Sequence, residues 1–384
     1  MPASTPASRQ KHDAPPTFRR HCRHRRRFMD LAKPRGERWT IMKALVLRAY
    51  MDLSVEEFPR PQAGPDEALI RVRACGICGS DVHGMDGSTG RRIPPIVMGH
   101  EAAGEIVEVG SNASPWKSGD RVTFDSTIYC GTCWHCKRGE VNLCENRMVV
   151  GVSCQDYRRN GAFAEYIAVP ARILYRIPDS VSFEQAAMVE AVSVAAHAVG
   201  RSPVKEGSSA MVVGSGMIGL LVIQVLKAKG CTQIFAVDPD PERLALARRF
   251  GATATLDSGS PDVVATARKM ASGAGVDVAF EVVGLTSAVK TAIESTRKGG
   301  SVVLVGNLSP TVDLPLQAVV TRELTLLGTC ASAGEYPECM RMIADGLVDV
   351  SAFVSAVAPL EEGAAWFGRL HSREKGLMKV LLAP

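Results

Sequence analysis

No stretch of this 384-residue chain reaches the 18 or more consecutive apolar residues that a membrane helix needs, and the nearest approach, at 211–225, is interrupted by glycines. The chain also lacks an apolar signal segment at its start. A helical membrane protein is therefore excluded, and so is a small disulfide-framed secreted module, although eleven cysteines are present. Outside residues 1–41 there is no internal repeat and no low-complexity block. Excess positive charge is missing from the body as well. Residues 1–41 hold eleven Lys or Arg against three acidic residues, a net of +8, so in a chain of formal charge +5 the remainder carries −3. Basicity confined to a tail argues against nucleic-acid binding as the main function.

That tail, with HCRHRRR at 21–27 and several Pro, Ser and Thr, shows no apolar periodicity and is expected to be disordered. Three readings of it compete: a translation start placed too early, an Arg-rich organelle transit segment, or a nucleic-acid-binding arm. The first is preferred, because MKALVLRAY from Met42 reads as a first strand and a natural beginning.

The chain is longer than one core usually grows, so two domains are expected. From 42 to about 181 the pattern is short β-rich runs (ALVLRAY, EALIRVRAC, AAGEIVEVG, DRVTF, FAEYIAV, RILYRIP) punctuated by Gly, Pro and Asp, as in a partly closed barrel. After Phe183 the rhythm becomes helix, strand, helix, strand: SFEQAAMVEAVSVAAHAV, AMVVGSG, MIGLLVIQVLKAKG, QIFAVD, PERLALARRFG, VDVAFEVVG, TSAVKTAIESTRKGG, SVVLVGN. Such alternation predicts an α/β unit with a doubly wound parallel sheet. The expected divisions are a tail at 1–41, a β-rich catalytic domain at 42–190, a nucleotide-binding domain at 191–328, and a return to the catalytic domain at 329–384.

Cys130, Cys133, Cys136 and Cys144, in CGTCWHCKRGEVNLC, form the tightest motif. Thiolates at these intervals can wrap one tetrahedral Zn²⁺, and a closed four-sulfur shell leaves no position for substrate, so this zinc is structural. A second, open metal site is read from CGICGSDVH and MGHE. Cys78, His100 and Glu101, with Glu190 near the domain boundary, offer the sulfur, nitrogen and oxygen donors of a catalytic zinc site. Ser80 can accept a substrate proton and His83 can pass it towards solvent, while Asp81 is either part of that set or the group that orients His100. Glu190 lies in the apolar run AAMVEAV, where an unpaired carboxylate is costly. The competing readings are a Cys75–Cys78 redox pair, a core histidine at His100 and a solvated helix residue at Glu190. His197 reads as structural, and Arg91 and Arg92 as a solvated loop pair with a phosphate contact as the lesser alternative.

In VVGSGMIGL, Gly214, Gly216 and Gly219 follow a β-rich run and open an apolar helix. They suit a tight turn, close approach to a pyrophosphate, and close helix packing, with the phosphates at the helix N-terminus. Asp238 ends the following strand, nineteen residues beyond Gly219, placed to bind adenosine ribose hydroxyls and to disfavour a 2′-phosphate. NAD is therefore expected over NADP, with Arg243 as the complicating residue.

Together GHE, the four-cysteine lobe, GxGxxG and Asp238 resemble the zinc-dependent medium-chain dehydrogenase/reductase family across 42–384. CGSDVH, VEAVSVAAHA, TRKGGSVVLVG and TRELTLLGTCASAGEYPE are most similar to its sorbitol (L-iditol) and polyol-phosphate dehydrogenase branch. The resemblance implies a GroES-like catalytic domain, an inserted Rossmann domain, and a homotetramer or homodimer. It implies Cys78, His100 and Glu101 as catalytic zinc ligands, Glu190 as a direct or water-linked acid, and Ser80 and His83 as proton relay. Met217, Ile218, Asp238, Arg243, Val305 and Gly306 join the glycines as NAD contacts. Gly84 departs from the aromatic residue of animal sorbitol dehydrogenases, Ala331 and Ser332 from their Arg and Tyr, and Ala191 from the usual Pro. The expected function is a cytoplasmic, NAD-dependent zinc enzyme acting on a secondary hydroxyl of a polyol, sugar alcohol or polyol phosphate. The alternatives are an L-threonine 3-dehydrogenase or simple alcohol dehydrogenase, and, in another class, a non-catalytic zinc- and nucleotide-binding paralogue.

Overall fold

The computed structural model describes residues 40–384, so the expectations for the basic tail lie almost entirely outside the described residues. Among the described residues, no helix is long and apolar enough to cross a membrane.

The β-rich part is organised around the strand Glu67–Gly76, whose apolar positions are buried on both sides. It pairs antiparallel with Glu101–Val109 and with Tyr166–Pro170. The sheet then runs outward through Arg121–Phe124 to Leu174–Arg176. On its other side it receives Lys379–Ala383, in the register Leu381 to Gly76 and Leu382 to Cys75, with Val354–Pro359 beyond. The apolar ending KVLLA is thus an interior strand of a sheet begun some three hundred residues earlier in the chain. A separate hairpin, Ile41–Ala49 with Asp52–Pro59, closes over this core.

The second part is a six-stranded parallel sheet. From one edge to the other its strands are Ala254–Asp257, Gln233–Asp238, Ser209–Val213, Val276–Glu281, Thr296–Leu304 and Thr325–Gly328. Counted in chain order this is 3-2-1-4-5-6, the doubly wound arrangement that reverses direction beside its first strand. Helices Met217–Ala228 and Thr286–Ser295 pack on it with near-continuous burial of their apolar stripes, as the period of their sequences requires.

Two elements differ from the pattern reading. SFEQAAMVEAVSVAAHAV is not one helix but two, Phe183–Ala187 and Val189–Gly200, separated at Met188. Ser182 and Gln185 form a reciprocal capping box that starts the first, and the break places Glu190 in the first turn of the second. The helix expected over TSAVKTAIESTRKGG stops at Ser295, and TRKGG is the opening of the next strand. Thr296 already pairs with Val276 there, and Gly299 takes a positive φ of 67° that continues neither element.

Between the two parts lies Tyr336, fully buried and stacked on Tyr175 with ring centroids 4.8 Å apart. Its hydroxyl has no hydrogen-bond partner among the described residues. Because a buried, unpaired hydroxyl costs more than a methine in the same place, Tyr336→Phe is expected to raise stability by about 1 kcal/mol in denaturant unfolding. A loss of stability would show the hydroxyl to be engaged.

Candidate active site and cofactor cleft

Cys78, His100 and Glu101 come together with one donor atom each, all within 4.8 Å of one another. Each is delivered by local structure. Cys78 caps the short helix Gly79–Met85, and its sulfur accepts the amide hydrogen of Ser80 at 3.5 Å. His100 and Glu101 enter the strand Glu101–Val109 side by side, behind Gly99, whose φ of 95° suits only glycine at a point where a Cβ would press on Cys75 and Phe163. Gly76 lies opposite Glu101 in the ladder, and any side chain there would collide with the Glu101 carboxylate.

Two charged residues complete this group, one that sequence reading passed over and one that it read as solvated. Lys379 is 1% exposed, and its ammonium donates to Glu101 Oε2 at 2.6 Å and to the carbonyl of Ile77 at 3.1 Å. The only signal for it was a lysine interrupting the apolar strand KVLLA. Arg92, read as solvated, is instead 4% exposed and donates to Asp81 Oδ1 from Nη2 at 3.0 Å; Arg91 is the exposed member of the pair. Asp81 is fully buried and sits 3.3 Å from His100 Nδ1. Burial alone would raise its carboxyl, but His100 and Arg92 beside it hold it down at about 2.

Glu190 is not among the three clustered donors. It faces the same cleft, where dense surroundings push its carboxyl up to about 7, with the Glu101 charge adding to the effect and His100 opposing it. Asp125, raised to about 6 by burial, accepts from Thr127 N at 2.8 Å and from Ser332 Oγ at 3.3 Å. His197 is structural, as read: its ring joins Glu335 at 2.6 Å to Asn142 at 3.3 Å. Ser80 lies at the N-terminus of the short helix, and His83 is part-exposed one turn on, 3.9 Å from Asp86.

The donor set fits zinc by its charge. With His100 neutral, as a metal ligand must be, and Cys78, Asp81 and Glu101 taken as thiolate and carboxylates, the site carries three negative charges, and Lys379 and Arg92 return two. One uncompensated negative charge remains in a buried site, two when Glu190 ionises, which a divalent cation offsets. The four lobe cysteines fit equally well. Their donor atoms lie within 4.8 Å, Cys130 to Cys136 and Cys133 to Cys144 are each 4.0 Å apart, and no disulfide joins them. Sulfurs on one tetrahedral zinc at 2.3 Å stand about 3.8 Å apart. Thr132 Oγ1, Thr132 N and Cys133 N all donate to Cys130, which holds its thiol down at about 5.

The cofactor cleft opens at the C-terminal ends of the parallel strands. Gly214 has φ 100°, and a Cβ on Gly219 would collide with the Gly214 carbonyl, so helix and turn meet only through glycine. At Gly216, by contrast, a Cβ would meet nothing within 4 Å, leaving room beside the helix start where Met217 and Ile218 begin the first turn. Asp238, 3% exposed, accepts from Ser215 N at 2.7 Å and from Asp240 N at 3.0 Å, so it braces the turn as well as ending its strand. Arg243 stands 4.0 Å from it and is half-exposed. Val305 and Gly306 both donate to the carbonyl of Glu281 at the neighbouring strand end. Glu281 itself was not singled out from sequence; its Oε1 accepts from Val283 N and Gly284 N at 2.8 Å.

Comparison with known proteins agrees with this architecture. The alcohol dehydrogenase GroES-like domain matches residues 64–179, and the zinc-binding dehydrogenase domain matches residues 218–345. The sorbitol dehydrogenase of Bacillus subtilis is 34% identical over 348 residues, covering 89% of this chain and 97% of that protein. The chain belongs to the zinc-dependent medium-chain dehydrogenase/reductase family. Within it, the D-arabitol-phosphate dehydrogenase of Enterococcus avium is 33% identical, over 84% of this chain and 90% of that one. A zinc-binding dehydrogenase of Sinorhizobium meliloti solved with NADP superposes with a TM-score of 0.82 at 33% identity, covering 90% of this chain and all of that one. The chain is thus an enzyme of the zinc alcohol dehydrogenase type with a GroES-like domain and a Rossmann-type domain.

Breaking the buried Lys379–Glu101 pair leaves a carboxylate without its counter-charge, at a cost of about 3 kcal/mol. Lys379→Met is expected to lower stability by that order. Adding Glu101→Gln should recover part of the loss, giving a coupling energy above 1 kcal/mol in a double-mutant cycle read by thermal unfolding. Additive losses would mean that the two side chains do not interact.

Proposed function

We propose that this enzyme oxidises a secondary hydroxyl of a polyol, sugar alcohol or polyol phosphate to the ketone with NAD, or runs the reverse. The observation that carries this is the meeting of Cys78, His100 and Glu101 at one point, in a chain whose parallel sheet has the doubly wound order with a glycine turn after its first strand. Cys78, His100 and Glu101 would hold the catalytic zinc, and the four lobe cysteines the structural one. Zinc held there supplies a positive charge that makes a substrate hydroxyl easier to deprotonate. Ser80 takes that proton, its oxygen held by Arg92 Nη2 at 3.3 Å. His83, with 44% of its side chain exposed, passes it to solvent. Glu190, near neutrality in its affinity for protons, stands by as a further acid or base in the same cleft.

NAD would supply the acceptor for the carbinol hydride, with its pyrophosphate held at Gly214, Gly216 and Gly219 and its adenosine ribose at Asp238. A carboxylate at that position supports NAD over NADP, with Arg243, 4.0 Å from Asp238 and 3.7 Å from Asp240, the residue on the other side of the balance. The substrate class is supported by the sorbitol and D-arabitol-phosphate dehydrogenase relatives and by the polar groups Asp125, Ser332 and Glu190 around the cleft. Ten free thiols among the described residues support a reducing, cytoplasmic location.

Cys78→Ala is expected to remove one of two zincs per chain and to lower kcat by at least 10³, with the NAD dissociation constant within about twofold of wild type. Metal analysis, calorimetry and a polyol panel followed by NADH absorbance test this together, and full turnover after loss of that zinc would defeat the reading.

A homo-oligomer, a tetramer or dimer, forms part of the same proposal. Leu308, Leu314, Leu316 and Val320 are exposed near the outermost strand of the parallel sheet, Thr325–Gly328. Leu316 and Val320, at 62% and 64% exposure, lie one turn apart on the helix Leu316–Thr321, an apolar face suited to a second copy. Leu316→Glu with Val320→Glu should shift the chain to smaller species in sedimentation; an unchanged distribution would exclude this face as the interface.

A further inference from the structure

Arg92, already met as the partner of Asp81 and Ser80, is among the most buried charges of the described residues. Four of the five guanidinium N–H groups are engaged. Nε and Nη2 donate to Asp81 Oδ1 at 3.3 and 3.0 Å, Nη2 also reaches Ser80 Oγ at 3.3 Å, and Nη1 donates to the carbonyl of Arg91 at 3.2 Å. At 4% exposure the group is badly placed to meet a substrate anion, which counts against Arg92 in the phosphate-contact reading.

What the guanidinium holds is informative. Asp81 divides its oxygens: Oδ1 belongs to Arg92, while Oδ2 lies 3.3 Å from His100 Nδ1 and accepts from Cys78 N at 3.4 Å. With Oδ1 pinned, the carboxylate cannot turn about its Cβ–Cγ bond. Oδ2 is the carboxylate oxygen nearest His100 Nδ1, short of hydrogen-bond geometry here, and a small turn of the ring would let it hold the proton on Nδ1 and leave Nε2 as the donor atom. The arrangement exists because of a gap in the helix Gly79–Met85. A Cβ on Gly84 would collide with Arg92 Cγ and stand 3.0 Å from its Cβ, so only glycine lets the arginine cross the helix there.

We propose that Arg92 is a positioning residue of the reaction, laid in the channel that Gly84 leaves open, where one guanidinium orients both the metal-binding His100, through Asp81, and the proton-accepting Ser80 hydroxyl. This rests on the zinc reading of the site given above. Outer partners of a metal ligand alter metal affinity or activity by about 10- to 100-fold when removed. Arg92 differs from an ordinary structural arginine in that its loss should be felt at one metal and not the other. Gly84→Ala should act through the same displacement without changing any charge.

The test uses the full chain as wild type, Arg92→Ala, Arg92→Lys, Gly84→Ala and the Arg92→Ala/Gly84→Ala double variant. Zinc release to a chromogenic chelator is followed alongside kcat, KM and NAD affinity. Arg92→Ala and Gly84→Ala are each expected to speed release of one zinc by about 10- to 100-fold and to lower kcat by a similar factor. Release of the lobe zinc and the NAD dissociation constant should stay within about twofold of wild type. Gly84→Ala should add less than about twofold in the Arg92→Ala background, since the side chain it displaces is already gone. Arg92→Lys, which keeps the charge but not the fork, should recover only part of the loss. The proposal is overturned if Arg92→Ala retains zinc as wild type does, if both zincs loosen together, or if the Gly84→Ala effect is undiminished in the double variant. Wild type carrying a single zinc would overturn the metal reading and this one with it. Wild type with two zincs but no polyol turnover would overturn only the substrate reading, because the release measurements still decide on Arg92.

Discussion

Charge cannot be buried without compensation, and that constraint organises the centre of this enzyme. Three acidic groups, Cys78, Asp81 and Glu101, are drawn into one small volume by the ends of two strands and one short helix. In an interior of low polarity their mutual repulsion and lost hydration would unfold the site. Two of them are therefore met by a specific partner from elsewhere in the chain: Lys379 for Glu101, Arg92 for Asp81. With His100 neutral, the negative charge left over is what a divalent ion at the proposed site would offset. Structure and metal preference here are one balance seen from two sides.

The partners also decide the architecture. Lys379 reaches Glu101 only because Lys379–Ala383 pairs with Glu67–Gly76, and that pairing is the reason the parallel-sheet part sits as an insertion between two stretches of one β-rich unit. The zinc lobe is tied in by a different route. Asn142, two residues from Cys144, donates to the carbonyl of Cys330 at 2.8 Å and contacts His197. Arg147 donates to Asn142 O at 3.0 Å. The lobe thus touches both the helix that carries Glu190 and the segment that leaves the parallel sheet.

Motifs built on short spacing were legible in the amino-acid sequence. The four lobe cysteines and the glycine turn each confine their geometry to fewer than twenty residues, so spacing alone constrains what they can wrap or cradle. The strand and helix alternation of the parallel sheet was legible for the same reason, since each period is local. What escaped depends on contacts between distant segments. Lys379 looks like a blemish in an apolar strand until the strand is set beside Glu101, and Arg92 looks solvated until the empty space at Gly84 is known. The break at Met188 and the early start of the strand Thr296–Leu304 escaped for a related reason: apolar content was continuous across both, and tertiary pairing chose where one element ended.

The ordering of partners along the chain carries a consequence for biogenesis. Glu101 emerges from the ribosome 278 residues before the lysine that neutralises it. At ordinary elongation rates that interval is on the order of tens of seconds. Throughout it the nascent β-rich half has a hydrophobic sheet with an open edge and a carboxylate with no counter-ion, so it must stay loose or be sheltered. Assembly of the catalytic centre is thereby deferred to the close of translation, and metal loading at that centre becomes a late event in the life of each molecule.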